Sequence, residues 1–145
     1  MLDEQVRRIM APDPLTVNST DNLAEVSEMM VNQQLQQVPV VDNGKFLGIV
    51  TSYDIWQASK NKGEDSNRLV NDVMNTNVIK ISPKDKMGTA AELFMDKRFK
   101  TLPVVNLHNE LKGVITAFDV IKYVFKNEYP HPSIYNSILN EPAAR

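Results

Sequence analysis

Cysteine is absent from the 145 residues, which removes disulfides, thiol nucleophiles and thiolate metal sites together. Neither charge is in surplus. The formal net charge is −2, so no basic field exists to hold a nucleic-acid backbone. No apolar run reaches the roughly 20 residues of a membrane helix. The opening stretch MLDEQVRRIM lacks the apolar core of a secretory leader. Histidine is scarce: His108 and His131 stand in polar surroundings without carboxylates at ligand spacing, so no metal site is expected. No Walker loop, His-x-x-x-His pair or Gly-x-Ser-x-Gly elbow occurs. These absences point to a cytoplasmic binding module, not an enzyme, with neither nucleic acid nor membrane as partner and no cofactor required.

What is present is a duplication. Ile9-Met10 returns as Val73-Met74, Leu15-Thr16-Val17 as Ile79-Lys80-Ile81, and Asp21 as Asp85, each 64 positions on. Val38 to Val41 (VPVV) returns as Leu102 to Val105 (LPVV) at the same offset. One extra residue in the turn NLHNE moves the offset to 65, and GIVTSYDIW (Gly48 to Trp56) then meets GVITAFDVI (Gly113 to Ile121). Each copy reads as a short apolar strand followed by a helix-start signal, Asn18 to Asp21 or Ser82 to Asp85. A helix follows with Leu23, Val26, Met29 and Met30, or Met87, Ala90, Leu93 and Phe94, at helical spacing. Methionines there act as flexible core fillers. Next comes a hairpin, turned on Asn43-Gly44 in the first copy and on Leu107 to Glu110 in the second. A second helix begins after Thr51 or Thr116. The expected class is α/β, more strictly α+β: two tandem β-α-β-β-α repeats over 5–58 and 68–126. A polar linker (59–67) lies between them, and a tail (127–145) with a weakly amphipathic SIYNSIL follows.

Thr51-x-x-Asp54 and Thr116-x-x-Asp119 admit two readings. A threonine N-cap with an acid three residues on is a capping box, which satisfies backbone donors and the helix dipole without any ligand. The same geometry offers a phosphate a hydroxyl and a helix N-terminus, and offers a ribose diol a carboxylate. The preceding glycine would let a base or sugar approach the backbone. Seen twice at matched positions, the motif favours the ligand reading.

The double unit resembles a tandem pair of CBS domains, a Bateman module. IMAPDPLTV and VPVVDNGKFLGIVTSYDI carry the likeness, with their partners VMNTNVIKI and LPVVNLHNELKGVITAFDV. The resemblance implies pseudo-twofold packing with two clefts for adenosine compounds (AMP, ADP, ATP or S-adenosylmethionine). Asp54 and Asp119 match the ribose-binding position, Thr51 and Thr116 the phosphate-contacting one. Gln36, Gln37, Val38 and Pro39 match the base-pocket wall of one copy, and Lys100, Thr101, Leu102 and Pro103 that of the other. The first strands, Leu15, Thr16 and Val17 or Ile79, Lys80 and Ile81, belong to those walls, as do Ile49 and Val114. It further implies that each cleft combines the wall of one repeat with the Thr and Asp of the other.

The repeats differ after the first helix, where NQQLQQ stands against DKRFKT; Lys97, Arg98 and Lys100 either steer phosphates or merely suit the helix C-terminus. Lys100 adjoins the base wall, so the crossing places it with Thr51 and Asp54, and makes that the stronger nucleotide site. The expected function is a regulatory adenosine-nucleotide sensor acting through an effector protein or an oligomer. The competing expectation is a dimerisation platform with empty clefts. In either case Ile55, Trp56, Val120, Ile121, Val124 and Phe125 would supply a homodimer contact.

Overall fold

The computed structural model describes residues 2–60, 68–97 and 100–128. Most of the expected linker, nearly all of the tail, Arg98 and His131 lie outside them, and the Lys97 side chain is likewise not described. The elements are β1 (Ala11–Pro12), α1 (Leu23–Gln33), β2 (Gln37–Asp42), β3 (Lys45–Thr51), α2 (Ser52–Ser59), α3 (Met87–Lys97), β4 (Thr101–Val105), β5 (Leu111–Thr116) and α4 (Ala117–Glu128). Two antiparallel hairpins, β2–β3 and β4–β5, form the sheets, and β1 extends the second along β5. The α+β class and the duplicated order of elements are therefore as expected.

Local chemistry explains the first hairpin. Asn43 and Gly44 both take positive φ, 50° and 80°, as a two-residue turn matched to strand twist requires. The Asn22 side chain caps α1 by accepting from the Glu25 N–H at 3.1 Å. The helix thus starts after Asn22. Asn18 to Asp21 is a separate turn, closed by the Asp21 carboxylate accepting from the Asn18 N–H, and Asp85 repeats this with Ser82.

The expected first strands are reduced to single parallel bridges. Val17 pairs with Val40 and Ile81 with Val104, each residue donating to one neighbouring carbonyl and accepting from one amide. Both hairpins carry a register shift at the same place, between Val40 and Val41 and between Val104 and Val105.

The packing units do not coincide with the sequence repeats. A single 3-10 turn, Val6–Arg8, lies on the second repeat, where Val6 donates to the Asp85 carbonyl and Met87 to that of Glu4. Its counterpart Val70–Asp72 lies on the first, with Val70 donating to Asp21 and Leu23 to Arg68. Val6 is fully buried among Ile81, Met87, Leu102 and Ile115; Val70 is fully buried among Val17, Leu23, Val26 and Val50. Each repeat therefore lends its leading arm to the other. Burying one such valine contributes roughly 1.5–3 kcal/mol. A third cluster, Phe46, Ile49 and Val105 with Val78 and Leu111, joins the two halves.

The arms also explain the repeated glycines. Gly48 lies under the second arm: a Cβ there would clash with the Asn75 carbonyl oxygen, well inside any normal contact distance. Gly113 lies under the first arm, 2.6 Å from the Ala11 carbonyl oxygen on the same construction. The space expected for a base or sugar at these glycines is taken by the protein's own backbone.

Asp42, at the end of β2, accepts from both the backbone and the hydroxyl of the buried Ser19. These bonds hold its carboxyl below the ordinary value of 3.8. A depressed carboxylate stabilises the fold above its unfolded value and loses that contribution as pH falls through the folded value. Asp42→Asn should therefore flatten the acid side of the stability–pH profile, below about pH 5, while changing it little in shape near neutrality. Urea titrations from pH 7 down to pH 3 would show this. An unchanged acid limb would contradict the role given to this pair.

Candidate functional site

A cleft of about 270 Å³ opens between the two repeats. The first supplies Leu15, Gln36, Gln37, Pro39 and Ile49; the second supplies Lys100, Thr101, Val114 and Thr116. Strand pairing sets them in place. Thr101 is the register partner of Thr116 at the open end of β4–β5, and Gln37 is that of Thr51 in the other hairpin. Leu15 is half exposed at the mouth, while Pro39 and Ile49 form a buried apolar floor. Pro14, Gln34 and Leu35 complete the wall outside the expected set. They adjoin Leu15 and Gln36 in sequence, and Gln34 takes a left-handed φ of 57° as the C-cap of α1. The end of that helix turns the chain into the cleft, and the glutamine run, whose residues favour helix, does not mark that turn in the sequence.

Both capping boxes are formed. The Thr51 hydroxyl accepts from the Asp54 N–H at 3.0 Å, and the Asp54 carboxylate accepts from the Thr51 N–H at 3.2 Å. At Thr116 and Asp119 the same two bonds measure 3.1 and 2.8 Å. The capping reading is thus correct as structure, and it leaves room for a ligand. A capping hydroxyl keeps its proton to donate, and a carboxylate bonded through one oxygen keeps the other. Both aspartates are partly exposed, within reach of solvent or a bound molecule.

The expected residues fall into separate groups. The cleft brings the wall of the first repeat together with Thr116 of the second, the crossed arrangement. Lys100 and Thr101, expected opposite Thr51 and Asp54, line the wall of the Thr116 cleft. They do so because β4 is paired to β5, which places them beside Thr116. Asp119 borders an adjoining recess with Arg8 and Lys122, and Asp54 a related one with Gln57 and Arg68. The side chains of Val17, Val38, Ile81, Leu102 and Pro103 are buried in the protein interior. Thr16, Ile79 and Lys80 are exposed, and the Lys80 ammonium lies 5.9 Å from the Phe46 ring centre.

The second helices show another surface. Tyr53 and Trp56 on α2, and Phe118, Ile121 and Phe125 on α4, are exposed. Tyr53 and Trp56 lie tilted against each other, with the Lys60 ammonium 4.6 Å over the indole. Ile55, Val120 and Val124, expected on this face, turn inward onto the repeat cores. On a helix that borders a core, an apolar stripe faces inward first, and only the surplus remains for a partner.

The residues of both repeats, 6–55 and 70–126, match the model of the CBS domain. A curated uncharacterised protein of Methanocaldococcus jannaschii is 36% identical over 126 residues, covering 86% of this chain and 30% of that one. The chain spans between 26% and 46% of the length of the first three curated relatives it matches. Among solved structures, the CBS domain pair of protein MJ0100, in complex with 5′-methylthioadenosine and S-adenosylmethionine, superposes with a TM-score of 0.69 at 25% identity, covering 86% of this chain and 98% of that one. CBSX2 of Arabidopsis thaliana, solved in complex with AMP, gives a TM-score of 0.74 at 22% identity with the same coverage of 86% and 98%, a likeness of fold.

Proposed function

The chain belongs to the CBS domain family, and from that premise we propose that its inter-repeat cleft binds an adenosine nucleotide (AMP, ADP or ATP) as a regulatory ligand. The observation that carries this reading is the composition of the cleft: an apolar floor, side-chain amides at Gln36 and Gln37, and Lys100 beside the threonine that caps α4. An adenine ring suits the floor and its edge the amides. A phosphate suits the lysine and the helix N-terminus, where Thr116 still has a hydroxyl proton to donate. The Asp119 carboxylate, one turn on, suits a ribose diol. The solved MJ0100 pair, which holds S-adenosylmethionine and methylthioadenosine, supports an adenosine-type ligand. Lys100 favours a phosphate over the cationic sulfonium of S-adenosylmethionine.

Because the wall comes from both repeats, a bound nucleotide ties them together, and its signal passes to an effector protein or a second copy. Thermal melts against adenosine, AMP, ADP, ATP and S-adenosylmethionine test the reading. Saturation at a hundredfold excess over Kd should stabilise the fold by about 2.7 kcal/mol. No shift with any of them would leave the platform reading in its place.

Self-association is a second reading, carried by the exposed aromatic and aliphatic side chains of α2 and α4. We expect a homodimer by light scattering, and monomers from Phe118→Glu combined with Ile121→Glu. A monomeric wild-type protein at high concentration would overturn it.

A further inference from the structure

Asp119, three residues after the cleft's Thr116, borders a separate recess of about 190 Å³ lined also by Arg8, Ile9, Lys122, Tyr123 and Lys126. Three cations meet there from two elements: Arg8 from the exchanged arm, Lys122 and Lys126 from successive turns of α4. Arg8 contacts Glu4 at 3.7 Å through an exposed pair, a weak restraint. Among the described residues neither lysine is in an ion pair.

The duplication supplies an internal comparison. The related recess beside Asp54 is lined by Tyr53, Asp54, Gln57, Ala58, Arg68 and Val73. With the offsets of 64 and 65, Lys122 corresponds to Gln57, Arg8 to Asp72 and Lys126 to Asn61. Among the described residues the one cation lining that recess, Arg68, points at the Ala58 carbonyl, 3.4 Å away. Capping box, arm and helix are common to both copies, and among the described residues the three converging cations are not. Helix packing therefore does not require them.

Resting on the reading of the cleft as a nucleotide site, we propose that this recess takes the outer phosphates of a nucleoside di- or triphosphate whose first phosphate lies at Thr116. The helix rises 1.5 Å per residue, so Lys122 and Lys126 stand about 9 and 15 Å beyond Thr116 along α4, and their flexible four-carbon stems, tilted toward the helix N-terminus, reach back toward a phosphate chain that starts there. With a ribose diol on Asp119, its negative charge is engaged before the outer phosphates pass. The lysines and Arg8 then select longer phosphate chains over AMP.

Calorimetry with adenosine, AMP and ATP on the wild type and on Lys122→Gln/Lys126→Gln tests this. The wild type should bind ATP about tenfold more tightly than AMP, as expected for a few partly exposed charge pairs. The double variant should lose about that tenfold for ATP and keep its adenosine affinity within about twofold. If adenosine and AMP bind but ATP gains nothing in the wild type, or keeps its advantage in the variant, the phosphate subsite is overturned while the cleft stands. If none of the three binds the wild type, the nucleotide reading falls and this inference falls with it.

Discussion

Gly48→Ala should lower the melting temperature by about 6–12 °C, and Gly113→Ala by a similar amount. The motifs that contain these glycines also contain the candidate ligand residues, yet the loss is expected without any ligand present. A methyl at position 48 would clash with the Asn75 carbonyl oxygen, and one at 113 would sit 2.6 Å from that of Ala11. The nearest obstacle is backbone in both cases, and at position 113 the Met10 sulfur, 2.7 Å away, adds a second. Ile49 and Asn75 exchange hydrogen bonds of 3.0 and 2.8 Å beside the first glycine, and Ala11 is in register with Val114 beside the second. Relief therefore requires the exchanged arm to lift and take Val70 or Val6 partly out of its core. Overpacking of this kind costs about 3 kcal/mol, equivalent to 2–4 °C per kcal/mol in a chain of roughly this size. Gly88 provides the contrast. Its added methyl would meet Leu2 at an ordinary 3.4 Å, and it lies inside α3. Gly88→Ala should be neutral or stabilising, since alanine gains about 1 kcal/mol over glycine in a helix. Wild-type melting by Gly48→Ala would contradict the exchange of arms.

The second large effect concerns ligand affinity. Asp119→Asn should weaken nucleotide binding about tenfold or more, whereas Asp54→Asn should leave the Thr116 cleft nearly unchanged. A ribose diol donating to a carboxylate makes charge-assisted bonds worth about 1.5–3 kcal/mol, at the lower end for a partly exposed group. Asparagine keeps one oxygen to accept from the Thr116 N–H, so the cap of α4 is retained in outline and the melting temperature is a check on the fold. Lys100 sets the order of the two sites. Pairing of β4 with β5 brings it beside Thr116, so the Asp119 side is expected to be the better nucleotide site. Calorimetry on both variants decides the matter, and equal losses would mean that the asymmetry has been misassigned.

Much of this architecture was legible in the chain. The 64- and 65-residue offsets, the Asn43-Gly44 turn and the two capping boxes are local signals, and the structure contains each of them. Other features depend on contacts between residues far apart in sequence. The exchange of Val6 and Val70 leaves no local mark beyond the similarity of Ile9-Met10 to Val73-Met74. Without the exchange, Gly48 and Gly113 look like positions kept open for a ligand. Lys100 could be placed only once β4 was paired, because the sequence shows it to be near the base wall without showing which cleft that wall faces. The inward turn of Ile55, Val120 and Val124 has the same cause: a helix pattern identifies an apolar face, and the tertiary partner decides how much of it is covered.

The most direct test is an amide NMR titration of the wild-type chain with AMP. Saturable shifts are expected to concentrate on Gln36, Gln37, Thr101, Val114 and Thr116, with Asp119 moving alongside them and the outer faces of α1 and α3 still. Shifts confined to α2 and its exposed aromatics, or no shifts at saturating AMP, would contradict the nucleotide reading of the cleft.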